Sequence, residues 1–176
     1  MKSKILFTLL VSTLLTSSLF AQTINWMSWD EAVAANQKEP RLIFVDTYTD
    51  WCGWCKRMDQ TTFKHPAIVK YMNEHYYAVK LDAEMKDTIL FNGHMFVNQN
   101  PDAKRGTHTL AASLLDNKMS YPSFVFLNEQ FQRLQIVPGY QQPKQFEIYM
   151  RYFNEAIPKG QNQEQFMANF ESLIQE

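Results

Sequence analysis

Arg41-Leu-Ile-Phe-Val-Asp46, then Thr47-Tyr-Thr-Asp-Trp51, then Cys52-Gly-Trp-Cys55-Lys56: the reading of this stretch decides the fold. The run from Arg41 to Asp46 is almost continuously apolar, the pattern of a strand buried on both faces. The cysteines follow it and open a helical stretch reaching Thr62. Two intervening residues let the thiols bridge across the first helical turn. The first thiol stands at the helix N-terminus, where unpaired N–H groups and the helix dipole stabilise a thiolate. Cys52 is therefore the expected nucleophile. Cys55, further inside the turn, is the thiol that resolves a mixed disulfide. Two other readings stay open, an inert structural bridge and half of a metal site. A bridge closing so short a loop removes little unfolded-state entropy, so stability is a poor reason for it. A zinc site needs two more ligands, and His65, His75, His94 and His108 pair at no familiar spacing. No bound metal is expected.

Working outward, Ser28 and Glu31 form a capping box for a helix over about 29–38, closed before Pro40. His65-Pro66 starts another helix, running to about His75, with Pro in its first turn. Tyr76-Tyr-Ala-Val-Lys-Leu-Asp82 reads as the next strand. Asn92-Gly93 between Thr88-Ile-Leu-Phe and His94-Met-Phe-Val97 predicts a small hairpin with a type I′ turn. A helix over about 108–116 follows, with Thr107 as its cap. Strands at 123–127 and 133–137 are joined by a turn at Asn128-Glu129-Gln130. Helices over about 143–156 and 163–174 close the chain, separated by Pro158-Lys159-Gly160. In the first of these, Phe146, Tyr149, Met150 and Phe153 form a packing stripe rather than a cofactor box. The order β-α-β, then β-β-α, predicts an α/β protein with a small mixed sheet flanked by helices.

Composition excludes several classes. In 176 residues there are 17 Lys+Arg against 18 Asp+Glu and no basic run, which argues against a nucleic-acid binder. Two cysteines cannot build a disulfide-rich scaffold or a four-cysteine zinc site. No Gly-rich phosphate loop and no Ser/His/Asp arrangement is present. The N-terminus has the layout of a secretory signal peptide: Lys2 and Lys4, an apolar stretch from Ile5 to Phe20, then Ala21-Gln22. Thr8, Ser12, Thr13, Thr16 and Ser17 dilute that stretch, which speaks against an uncleaved membrane anchor. The expectation is a signal peptide over 1–21 and one mildly acidic, periplasmic or otherwise exported domain over 22–176.

The motifs together resemble the thioredoxin fold. Phe44-Val-Asp46 with Cys52-Gly-Trp-Cys55-Lys56 is similar to that family's strand, active site and helix, and Trp51 stands where the family has a Trp before the first Cys. Ser120-Tyr121-Pro122-Ser123 resembles its cis-proline loop, Pro138-Gly139-Tyr140 its glycine turn, and Ala78-Val-Lys80-Leu-Asp82 the strand whose Lys lies near a buried acid. The run Cys55-Lys-Arg-Met-Asp-Gln-Thr-Thr-Phe63 is similar to thioredoxin-like domains of bacterial cell-envelope thiol reductases. Residues 85–119 are an insertion before the cis-proline loop.

The resemblance implies roles. Asp46 lies beneath the disulfide and exchanges a proton with Cys55, aided by a pKa raised on burial. Lys80 is its charge partner. Pro122 carries the cis bond, and its loop pairs with an incoming peptide strand. Tyr121 borders the nucleophile, and Trp51 and Trp54 form an apolar collar for protein substrates. Gly139 provides the turn after the last strand. The expected activity is thiol–disulfide exchange on exported proteins, in the reducing direction. It needs no cofactor beyond the Cys52–Cys55 disulfide, takes electrons from a donor in the cell envelope, and is carried out by a monomer. The alternatives are a thioredoxin-fold binding module with a static bridge and a metal carrier.

Overall fold

A computed structural model describes residues 23–175; the signal-peptide expectation lies outside them. Seven strands and six α-helices occur among the described residues. β1 (Trp26–Met27) leads into α1 (Trp29–Lys38), β2 (Leu42–Tyr48), α2 (Gly53–Gln60), α3 (Pro66–His75) and β3 (Tyr76–Asp82). The insertion holds β4 (Ile89–Phe91), β5 (His94–Phe96) and α4 (Thr109–Leu114). The chain then runs through β6 (Ser123–Leu127), β7 (Arg133–Pro138), α5 (Pro143–Arg151) and α6 (Gln163–Met167). The five-stranded sheet has the order β1-β3-β2-β6-β7. β1, β3 and β2 are parallel, and β6 and β7 are antiparallel additions. This is the mixed sheet of the thioredoxin fold.

Side-chain alternation along β2 sorts the core into two layers. Phe44 joins Met58, Phe63, Phe124, Phe126 and Phe146 on the face covered by α2, α3 and α5. Ile43 and Val45 join Trp29, Val79, Leu110 and Leu115 on the face covered by α1 and α4. Asp46 has the parity of Phe44, so a carboxylate is delivered into the apolar layer beneath α2. Lys80 on β3 is its register partner.

The capping box forms as its spacing dictates: Glu31 N donates to Ser28 Oγ (3.2 Å) and Ser28 N donates to Glu31 Oε2 (2.8 Å). Asn92 and Gly93 take positive φ (51° and 76°) at the hairpin turn between β4 and β5. Three boundaries differ from expectation. α4 is capped by His108, whose ring accepts from Leu110 N, rather than by Thr107. The helix after Gln142 is α-helical only to Arg151 and continues as a π-turn over Tyr152–Ala156. α6 ends at Met167, well short of 174. There the tail turns back instead: buried Glu147 accepts from Leu173 N (2.7 Å) and Ser172 Oγ (2.5 Å), and Ile174 enters the core.

The insertion is tightly built. Asn98 Nδ2 donates to Gly106 O (2.8 Å), with the carbonyls of Glu84 and Met85 also in reach, and Asn98 Oδ1 accepts from Asn100 N. Gly106 is packed so closely that a Cβ there would lie 2.1 Å from Asn100 O. His108 is fully buried. Its Nδ1 accepts from Leu110 N, so its Nε2 carries the proton donated to Asp87 O (3.0 Å). Burial lowers its pKa and keeps the ring neutral. His108, one of the four candidate metal ligands, is thus spent on holding the loop.

Candidate active site

Cys52 and Cys55 are joined in a disulfide at the N-terminus of α2. Cys52 is the N-cap residue, and its Sγ accepts a hydrogen bond from Cys55 N (3.0 Å). That N–H is one of the orphan donors of the first turn, so in the reduced protein it favours a thiolate on Cys52. Exposure does not separate the two cysteines as residues, at 4% for Cys52 and 3% for Cys55. The difference between them is electrostatic. In the reduced protein at neutral pH, mass mapping of an iodoacetamide time course should therefore find Cys52 alkylated first. Prior modification of Cys55 would reverse the assignment.

Asp46 is 1% exposed. One carboxylate oxygen is paired with Lys80 Nζ, while Oδ1 is buried without a hydrogen-bond partner. Burial pushes its pKa up to about 6, outweighing the opposite pull of Lys80. Lys80 is shared: its Nζ also pairs with Asp59 Oδ1 on α2 and sits 4.8 Å from the Trp26 ring and 5.3 Å from that of Phe63. Burial works to lower the Lys80 pKa, but the two carboxylates outweigh it, and the group stays charged. A cleft of about 310 Å³, lined by Trp26, Asp59, Phe63 and Lys80 among others, opens onto Lys80 and Asp59.

The Tyr121–Pro122 bond is cis. The loop is locked to the glycine turn by Gly139 N donating to Pro122 O (2.8 Å), with Gly139 at φ 83°. Around the disulfide stand four aromatic rings. Trp51 is 50% exposed and packs edge-on against Tyr121 (5.9 Å); Trp54 is 61% exposed and lies against Tyr140 (5.4 Å). Two large indoles left open beside a reactive bridge are suited to contact with another chain. Trp51 is pinned on further sides: its Nε1 donates to Glu84 Oε1 (2.9 Å), and the Arg105 guanidinium lies over its ring at 4.5 Å.

All the residues singled out from the sequence are placed: Cys52, Cys55, Trp51 and Trp54 at the bridge, Asp46 and Lys80 as a pair in the core layer beneath α2, Tyr121, Pro122 and Gly139 in the adjoining loops. The roles of Asp59, Glu84 and Arg105 are not legible in the sequence, nor is the contact of Tyr140, quoted only for its turn, with Trp54. Only the fold brings Lys80 to Asp59. Among the described residues no His/Cys/Asp/Glu group could hold a metal ion.

The family model Thioredox_DsbH, described as "Protein of unknown function, DUF255", matches residues 11–163. The chain belongs to this DsbH-type thioredoxin family. Human spermatogenesis-associated protein 20 is 28% identical over 67 residues, covering 38% of this chain and 8% of that protein. The thiol:disulfide interchange protein DsbD of Photorhabdus laumondii is 23% identical over 111 residues, covering 63% of this chain and 16% of that protein. The chain thus spans a small part of these relatives' lengths. A thioredoxin from Thermus thermophilus superposes with a TM-score of 0.57 at 16% identity, covering 78% of this chain and 95% of that one. With its cysteines bridged at a helix N-terminus, the site holds the groups that thiol–disulfide exchange requires.

Proposed function

We propose that this protein is exported and reduces disulfides in exported proteins, drawing electrons from a donor in the cell envelope. The observation that carries the reading is the bridge at the start of α2, with Cys52 Sγ accepting from Cys55 N and a buried acid in the core layer beneath that helix. In the reduced protein, the Cys52 thiolate attacks a substrate disulfide, forming a mixed disulfide and releasing one substrate thiolate. Cys55 then loses its proton to Asp46, and its sulfur attacks Cys52 Sγ. The mixed disulfide breaks, the Cys52–Cys55 bridge forms, and the second substrate sulfur leaves as a thiolate, to be protonated by solvent. Two electrons pass from the dithiol to the substrate, so a donor must restore it. The cis-Pro122 loop and the rings of Trp51, Trp54 and Tyr121 form the surface on which a peptide strand lies. Export rests on the basic-then-apolar layout of residues 1–21; no helix of the described residues is long and apolar enough to cross a membrane. The name of the DsbD relatives, thiol:disulfide interchange protein, fits this reading.

Insulin reduction with dithiothreitol as donor tests it. The wild type should accelerate B-chain precipitation and Cys52→Ser should fall to the uncatalysed rate. Cys55→Ser, which keeps the nucleophile, should accumulate a mixed disulfide. Equal rates for wild type and a folded Cys52→Ser, shown by a cooperative melt, would leave the bridge a structural one.

A further inference from the structure

We propose that Arg105 is a specificity-determining residue: it pairs with the carboxylate of an acidic side chain flanking the substrate's reacting cysteine. This rests on the oxidoreductase reading above. Arg105 comes from the insertion, yet its guanidinium is stacked over Trp51, the residue before Cys52. A guanidinium lying on an indole keeps its N–H donors in the ring plane's direction, free for a carboxylate fork. Arg105 makes no ion pair or hydrogen bond among the described residues, so that fork is unspent. The backbone behind it is fixed, because Gly106 admits no Cβ and Asn98 and His108 bind the loop on either side.

The surroundings set which side takes the acid. Arg105 also lines a cleft of about 550 Å³, whose other walls mix polar residues (Gln99, Asn100, Asn117) with apolar ones (Ala112, Met119) and hold no carboxylate. The same indole also meets the opposite charge. Glu84 holds the indole N–H, and Asp82 and Glu84 both raise the pKa of Tyr121, after its burial, to about 12. Asp50 adds to this field at Asp82. A substrate carboxylate is therefore attracted by Arg105 and repelled by the acidic groups that act on Tyr121. On this proposal the preference belongs to the flank of the cysteine that meets Arg105.

Disulfide-linked peptides that differ only in Glu, Gln or Lys at each position within three residues of the cysteine supply the test. At low ionic strength the wild type should favour Glu over Lys by about five-fold in kcat/KM, on one flank and through KM, the upper range for an exposed ion pair. High salt should shrink the ratio. Arg105→Gln should abolish it and Arg105→Lys should restore part of it. Equal handling of Glu and Lys peptides, or a preference that survives in Arg105→Gln, overturns the proposal while turnover of the Gln peptide still upholds the oxidoreductase reading. If no peptide is turned over, that reading fails, and NMR decides the pairing separately. A cysteine-free Glu peptide should shift the Arg105 Nε–H signal and its Gln counterpart should not; no shift with either sinks the pairing.

Discussion

Asp46→Asn is expected to slow resolution of the mixed disulfide by about 10²-fold near neutral pH, the lower end of what a positioned proton acceptor contributes. Asp46 is a buried carboxyl group in the core layer beneath α2, and its Oδ1 has no partner of its own. A carboxylate held near a pKa of about 6 is mostly ionised at pH 7, and so ready to accept the Cys55 proton, yet basic enough to do so usefully. An asparagine keeps the shape and cannot take the proton. Wild-type turnover should rise as pH passes upward through about 6, and the variant should lose that step. Turnover by Asp46→Asn that matches the wild type between pH 6 and 8 would remove Asp46 from the mechanism.

The same substitution should make the protein more stable, with a pH signature. The folded-state pKa of Asp46 is raised above its unfolded value of 3.8. Between those two values the native state binds a proton that the unfolded state has lost, so stability falls as pH rises. Below about pH 4 the acid is neutral in both states and costs nothing. Above about pH 6 the full penalty applies, with a ceiling of about 3 kcal/mol for a shift of this size. Asparagine carries no such penalty, although Lys80 then loses one of its carboxylates and keeps Asp59. A gain in Tm on the order of 5 °C at pH 8, vanishing near pH 4, is the expected result. A gain independent of pH would point to packing instead.

Sequence reading reached the site wherever chemistry is written locally. The apolar run before Asp46, the cysteine spacing, the Ser28–Glu31 box and the Asn92–Gly93 turn each depend on neighbours a few residues away. It overreached at the C-terminus. Residues 163–174 have helical periodicity, but the helix ends at Met167, and Leu173 N and Ser172 Oγ go instead to Glu147, a buried carboxylate needing donors. It missed Asp59, Glu84 and Arg105 because each acts through a residue more than twenty positions away: Lys80 for the first and Trp51 for the other two. β1 escaped notice since two residues, Trp26 and Met27, carry no period.

The standard potential of the Cys52–Cys55 couple should lie nearer to about −270 mV, the value of thioredoxin, than to about −120 mV, that of the strong oxidants of the fold. A disulfide is oxidising to the degree that its reduced form is stabilised, and the main lever is the free energy of the nucleophile's thiolate. Here the dipeptide between the cysteines is Gly53-Trp54, with no His to supply a cation. The stabilisation of Cys52 in sight is the N-terminus of α2, expressed in the single bond from Cys55 N. Beneath that helix, in the same core layer, lies an acid ionised at neutral pH, and Lys80, which could offset it, is divided between Asp46 and Asp59. A negative charge near a thiol opposes its ionisation. The thiolate is therefore less favoured than in an oxidant, the dithiol gives up its electrons more readily, and the bridge is the stable form. The two extremes differ by about 150 mV, or about 7 kcal/mol for two electrons, so equilibration with glutathione separates them cleanly. A potential more positive than about −180 mV would make the protein an isomerase or oxidase, and the envelope donor proposed for it would then be an acceptor.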